Sequence, residues 1–221
     1  MLKIAVLAGK GGVKKSSLSR TLAARLVQRG LSVAGFDTDI DQASFARWMQ
    51  RRINNGIEPT FPVMADVKVN WIRTKLDSLN YDAVVIDGAA YASKDTPAIA
   101  EVVDLVVIPT GYSVDDIEAT LRVAKALIAE GIPNRKILIA LWSVLESKPK
   151  HRDTVTFLEG HNFNVTADFV PLRPSYSAAM DFGYALTEVN AAGLRTTART
   201  FIDGVINHAI EVKNGKAQRT G

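Results

Sequence analysis

Leu7-Ala8-Gly9-Lys10-Gly11-Gly12-Val13-Lys14-Lys15-Ser16-Ser17 joins the short apolar run Lys3 to Ala8 to a segment in which Leu18, Leu22, Ala23 and Leu26 recur at helical spacing. A strand that passes through glycines into a helix brings consecutive backbone N–H groups and the helix N-terminus together around an anion. Glycine admits close approach of the backbone, a lysine neutralises charge, and a hydroxyl is available to a divalent cation. Residues Gly9 to Ser17 therefore read as a phosphate-binding loop, with Lys15 as its main cation and Ser16 as a metal ligand. The plainer alternative is a glycine-rich turn with incidental lysines, which gives no reason for the position between strand and helix.

Outward from the loop, apolar runs alternate with helix-period segments. The runs are Lys3 to Ala8, Ser32 to Asp37, Ala83 to Asp87, Leu105 to Pro109, Lys136 to Trp142 and Val165 to Val170. Helices are predicted at Ser16 to Gln28 and Asp115 to Glu130, closed by Gly30 and Gly131. Unbroken apolar strands between amphipathic helices indicate an α/β fold, a doubly wound, mostly parallel sheet flanked by helices. At 221 residues one domain is expected, over 1–212, followed by a basic tail over 213–221.

Composition narrows the function. No cysteine is present, which excludes disulfides, thiolate zinc sites and cysteine-held iron–sulfur clusters. His151, His161 and His208 show no metal spacing. No apolar run approaches the roughly 20 residues that span a bilayer, and nothing resembles an export signal, so a cytoplasmic location is expected. The net charge of +4 favours an anionic partner only weakly. More telling are the groupings: Arg47, Arg51 and Arg52 around Trp48, then Lys148, Lys150 and Arg152, then the cations of the C-terminal tail.

Two acidic segments accompany the loop. Phe36-Asp37-Thr38-Asp39-Ile40-Asp41-Gln42 ends the second apolar run, and Val84-Val85-Ile86-Asp87 ends the third. A carboxylate at the C-terminal end of such a strand lies at the usual ligand edge of a parallel sheet, where it can hold a divalent cation. Solvated acids after a strand are the bland reading of the first segment, and an apolar run ending in aspartate is common by itself.

Lys10-Gly11-Gly12-Val13-Lys14-Lys15-Ser16 resembles the deviant phosphate loop of the ParA/MinD family of P-loop ATPases, K-G-G-x-G-K-[ST]. The resemblance implies binding of ATP with Mg²⁺, hydrolysis to ADP and phosphate, and a homodimer formed around the nucleotide. Lys10 matches the lysine that in relatives reaches the partner's nucleotide, Lys15 the loop lysine and Ser16 the Mg²⁺ ligand. Asp39, 24 residues after Lys15, matches the carboxylate that orients the attacking water. Asp37 and Asp87 match positions in the Mg²⁺ shell. Val170-Pro171-Leu172-Arg173-Pro174-Ser175-Tyr176, with Ala179 and Gly183, resembles the late segment near the base, so Pro171 and Arg173 are assigned to nucleotide binding.

One departure bears on activity: the glycine before the loop lysine is Lys14 here. A side chain there either crowds the phosphates or resists the backbone angles, or it points to solvent or adds a cation near the phosphates, leaving binding intact and altering turnover. A ParA-like role in plasmid or chromosome partition therefore stands beside a non-hydrolysing nucleotide- or DNA-binding scaffold. A positioner of membrane or protein cargo, or a metabolic relative of the dethiobiotin synthetase type, are the other readings. For the partition role the expected partners are nonspecific DNA, met by Arg195, Arg199, Lys213, Lys216 and Arg219, and a centromere-binding or adaptor protein. The protein would then sit on the nucleoid or plasmid. Phe201 to Ile210 has apolar spacing but few cations, and reads as a core-packed last helix rather than a membrane-surface helix.

Overall fold

A computed structural model describes residues 1–39, 42–90 and 95–215. The chain runs β1 (Leu2–Ala8), α1 (Lys15–Gln28), β2 (Val33–Asp37), α2 (Ser44–Asn54), β3 (Val63–Met64), α3 (Val69–Lys75), β4 (Ala83–Ala90) and α4 (Asp95–Val102). It continues through β5 (Leu105–Thr110), α5 (Val114–Ala129), β6 (Ile137–Val144), α6 (Lys148–Gly160), β7 (Asn164–Val165), β8 (Val170–Pro171), α7 (Pro174–Phe182) and α8 (Ala192–Lys213). The sheet order is β3-β2-β4-β1-β5-β6-β7, with β8 paired to the far end of β6. Every described pairing is parallel.

The alternation of side chains along each strand assigns them to two cores. In β1, Ile4 and Val6 face the layer of α1, α2, α7 and α8, where Leu18, Leu22, Trp48, Tyr176, Phe201 and Ile206 are buried. Ala5 and Leu7 face the opposite layer, packed on Ile72, Ile99, Val123, Leu127 and Leu158 of α3, α4, α5 and α6. Both faces of the sheet are covered, which is why the strands read as unbroken apolar runs.

Gly30 and Gly131 end α1 and α5 in left-handed conformations, with φ of 84° and 86°. Their N–H groups donate to Val27 O and Ile128 O, satisfying carbonyls that the helix leaves open. The expected strand over Val165 to Val170 is divided: β7 and β8 are separate two-residue strands. Thr166 accounts for the break, since its N–H donates to Ile139 O and its hydroxyl accepts from Leu141 N, tying the chain to β6. A register shift in β6 at Ser143, with φ of 58°, then admits β8 beyond it. Phe201 to Ile210 lies within α8 and packs into the first core as expected. Among the described residues no helix is long and apolar enough to cross a membrane.

Candidate functional site

The loop between β1 and α1 lies at the C-terminal edge of the sheet. Gly9 has no room for a Cβ, which would stand 2.6 Å from Ala119 O of α5. Lys14 occupies the left-handed region at φ 59° and ψ 30°, as the residue just before α1. Its side chain is exposed and its carbonyl accepts from Ser17 N and Leu18 N, opening the helix. The backbone here adopts the geometry glycine would take, with a strain cost of roughly 1–2 kcal/mol. The backbone angles that glycine would supply are thus held with Lys14 in place, and the residue lies at the exposed edge of the cleft.

Lys15 is the first residue of α1, and its ammonium lies 2.7 Å from Asp87 Oδ1 at the bottom of the cleft. Both side chains are buried, and Ser19 Oγ donates to the same oxygen at 2.9 Å. Asp87 Oδ2 is buried with no hydrogen-bond partner among the described residues. A buried carboxylate oxygen without a donor suits a cation or a cation-bound water, so this position fits a metal shell. Ser16 stands alongside, its hydroxyl 2.6 Å from Ser44 Oγ at the start of α2.

Asp37 is paired with Asp87 across β2 and β4. Burial, and then the like charge of Asp87, push its carboxyl up from the ordinary range. Its Oδ2 accepts from Phe45 N at 2.7 Å and Ala46 N at 3.4 Å, capping α2, and its Oδ1 accepts from Asp39 N at 3.1 Å. Asp39 lines the cleft and accepts from Gln42 N. Ile40 and Asp41, between them, lie outside the described residues.

Lys10 forms an ion pair with Asp116 of α5 in its own chain. Partial burial pushes the Asp116 carboxyl up, but the Lys10 ammonium and the Ser113 hydroxyl outweigh it and hold the group below its ordinary range. The opposite wall is formed by the ends of β6 and β8. Trp142 Nε1 donates to Ser17 Oγ at 2.8 Å, and Arg173 is ion-paired with Glu146. The cleft encloses about 340 Å³, within the size range of small-molecule sites.

Lys10, Gly11, Gly12, Val13, Lys14, Lys15, Ser16, Ser17, Asp39, Pro171 and Arg173 all line this cleft, so segments more than a hundred residues apart meet as the sequence suggested. Gly9 lies behind the loop, and Asp37 and Asp87 are buried beneath it. Arg20, Ser44, Trp142 and Ser143 line the cleft without having been singled out from the sequence. Two signals would have found some of them: Arg20 follows Ser16 by four positions on a helix, and Trp142 ends a strand at the ligand edge.

The cationic candidates separate by burial. Arg52 is fully buried and held by Glu188, which corrects its grouping with Arg47 and Arg51 as a surface cation. Arg195 donates to Val189 O and Asn190 O, Arg199 to Thr187 O and Lys213 to Met1 O. Lys216 and Arg219 lie outside the described residues. Lys148, Lys150 and Arg152 are exposed in the first turns of α6.

A strand–loop–helix that seats a lysine, a hydroxyl and a buried carboxylate at the ligand edge of a doubly wound sheet defines a P-loop nucleotide-binding protein. The chain belongs to the CobQ/CobB/MinD/ParA nucleotide-binding family, whose domain model matches residues 4–186. A similar solved structure is MinD in the MinC:MinD cell division complex of Aquifex aeolicus, with TM-score 0.74, 15% identity, and 94% of this chain and 96% of that one covered. A putative plasmid partition protein of Borrelia burgdorferi, bound to AMPPNP, gives TM-score 0.68 at 16% identity over 97% and 99% of the two chains. McdA of Cyanothece, an Asp-to-Ala variant in complex with ATP, gives 0.72 at 15% over 93% and 96%. An uncharacterised protein of Methanocaldococcus jannaschii is 30% identical over 86 residues, 38% of this chain and 31% of that protein. The match thus spans about a third of that relative's length.

Proposed function

We propose that the protein is a ParA-like ATP-dependent switch that acts in plasmid or chromosome partition, dimerising on ATP·Mg²⁺ and then binding DNA nonspecifically. The observation that carries this reading is the arrangement at the base of the cleft. Lys15 and Asp87 neutralise each other, the second Asp87 oxygen has no hydrogen-bond partner among the described residues, and Ser16 follows Lys15 at the start of α1. A triphosphate in the cleft would draw Lys15 toward its oxygens. Ser16, Asp37 and Asp87 would then hold Mg²⁺, which offsets charge on the phosphates. Lys15 stabilises charge on the transferred phosphoryl group, and Lys10 does the same for the partner's nucleotide once it leaves Asp116. Asp39 orients the attacking water.

The deciding experiment is calorimetry with ATP·Mg²⁺ on the parent and on Lys14→Gly, with mass by light scattering before and after nucleotide. The parent is expected to bind and to shift to dimer mass, because the loop already holds the left-handed geometry with Lys14 in place. Lys14→Gly should bind within about threefold of the parent, and its stability should rise by at most about 1 kcal/mol, relief of strain being offset by a more flexible unfolded chain. A parent that fails to bind while Lys14→Gly binds would put the non-hydrolysing scaffold first.

The DNA partner needs cations free to neutralise phosphates. Arg195, Arg199 and Lys213, with Lys216 and Arg219 of the tail, are the proposed C-terminal contacts, although the first three already donate to carbonyls of the chain. The cations of α6 are less engaged: Arg152 meets Asp153 only at 4.0 Å with both side chains exposed. They also lie at a helix N-terminus, where positive charge is unfavourable, and α6 has no acid in its first turn to offset it. Lys148→Glu/Lys150→Glu is therefore expected to weaken DNA cosedimentation more than Arg195→Glu/Arg199→Glu does. Loss of two phosphate contacts should lower the slope of log affinity against log salt by about two. Unchanged DNA binding in both double variants would remove these cations as the contacts, no cosedimentation of the ATP-loaded parent with DNA would remove the DNA reading, and binding to anionic vesicles alone would favour a membrane positioner.

A further inference from the structure

Arg20 is a cation in the wall of the cleft, and no carboxylate of the described residues comes within ion-pair distance of it. It follows Ser16 by four residues on α1, so the two share a helix face, and helical side chains lean toward the N-terminus, which carries the guanidinium up toward Ser16. There its Nη2 donates to Ser44 O at 2.5 Å, while Ser44 Oγ meets Ser16 Oγ. Its Nε is shut off from solvent with no acceptor among the described residues. Asp87, Asp37 and Asp181 act on it through space, none of them within ion-pair distance. Burial, partly opposed by Asp87, pulls the guanidinium down to about 10 from its ordinary 12.5, so it stays charged. Asp87 is committed to Lys15 and Ser19, and Asp37 to the amides at the start of α2.

Arg20 is half-buried, and a charge drawn partly out of water favours a counter-charge, because desolvation without a partner is costly. Arg20 shares Ser44 as a neighbour with Ser16 and lines the same cleft as Ser16 and Asp39, the positions assigned above to the metal and to the attacking water. We propose that Arg20 binds the terminal phosphate of the nucleotide from the Ser16 side, as a second cation of its own chain's site beside Lys15, and so sets the preference for a triphosphate over a diphosphate. This rests on the nucleotide reading given above. Arginine suits the task because its planar fork can donate to phosphate through one edge while another N–H keeps Ser44.

The test is calorimetry of the parent, Arg20→Gln and Arg20→Lys with Mg²⁺ and either a non-hydrolysable ATP analogue or ADP, with melting curves for each. Arg20→Gln keeps an N–H donor for Ser44 and removes the charge, and Arg20→Lys keeps the charge and removes the fork. Arg20→Gln is expected to lose about tenfold or more in affinity for the ATP analogue and less than about threefold for ADP, with Arg20→Lys between it and the parent. A merely structural role would lower both affinities in parallel with melting temperature and leave their ratio unchanged, which overturns the proposal. If one variant does not fold, the ratio in the other decides. A parent that binds neither nucleotide overturns the nucleotide reading and this proposal with it, whereas a parent that binds both with an unchanged ratio in the variants overturns this proposal alone.

Discussion

Lys15→Ala is expected to abolish ATP binding and also to lower stability by about 3–5 kcal/mol, because it leaves the Asp87 carboxylate buried without its counter-charge. Asp87 would keep only the Ser19 hydroxyl on one oxygen and nothing among the described residues on the other. For a chain of this size such a loss lowers the melting temperature by about 10 °C or more. The second variant needed is Lys15→Ala/Asp87→Asn. Removing the orphaned charge should return at least half of the stability while nucleotide affinity stays absent, so urea or thermal unfolding and calorimetry report on separate roles of one lysine. Equal stability of the single and double variants would mean that the orphaned Asp87 charge is not the source of the loss, and parental stability in Lys15→Ala would mean that the pair contributes nothing to the fold. Unchanged nucleotide binding in Lys15→Ala would remove the phosphate-loop assignment.

Arg52→Ala is expected to cost a similar amount, about 3–5 kcal/mol, through a different set of groups. The Arg52 side chain is fully buried, and its Nη1 and Nη2 donate to the two Glu188 oxygens at 2.6 and 2.7 Å. Nε donates to Pro59 O at 3.0 Å and Nη1 also to Gly183 O at 3.1 Å, while the guanidinium lies 5.5 Å from the centre of the Trp48 ring. One side chain therefore ties α2 to the turn after α7 and to the segment before β3. Arg52→Lys should recover less than half of the loss, since an ammonium cannot reproduce two parallel bonds to a carboxylate. Glu188 also accepts from Ala185 N and Gln28, so Glu188→Ala should be non-additive with Arg52→Ala. Chemical unfolding of the two single variants and the double one measures this, and wild-type stability in Arg52→Ala would contradict the assignment.

Arg52 shows where the sequence is silent. Beside Arg47 and Arg51 it reads as one more surface cation, because three arginines around a tryptophan say nothing of which helix face turns inward. Its partner is more than a hundred residues away, and no local spacing links the two. The division of the Val165 to Val170 run has a similar origin. Its β-rich composition is legible, but the break depends on Thr166 bonding to Ile139 and Leu141 of another strand. By contrast, α1 and α5 are legible to within a residue or two, since each carries its apolar face and its terminal glycine in its own sequence.

The candidate site divides along the same line. The phosphate loop, its position between strand and helix, the acids at the end of β2 and in the C-terminal half of β4, and the doubly wound class can all be read from residue order. Each follows from local motif and hydrophobic period. Four features of the site come instead from packing: Lys15 rests on Asp87, Lys10 rests on Asp116, Lys14 holds a left-handed backbone at the exposed edge of the cleft, and Arg20 stands in the cleft with no carboxylate of the described residues at ion-pair distance. Those outcomes depend on which groups distant in the chain are brought within a few ångströms and shut off from water. Burial and ion pairing are properties of the packed chain, and residue order alone does not carry them.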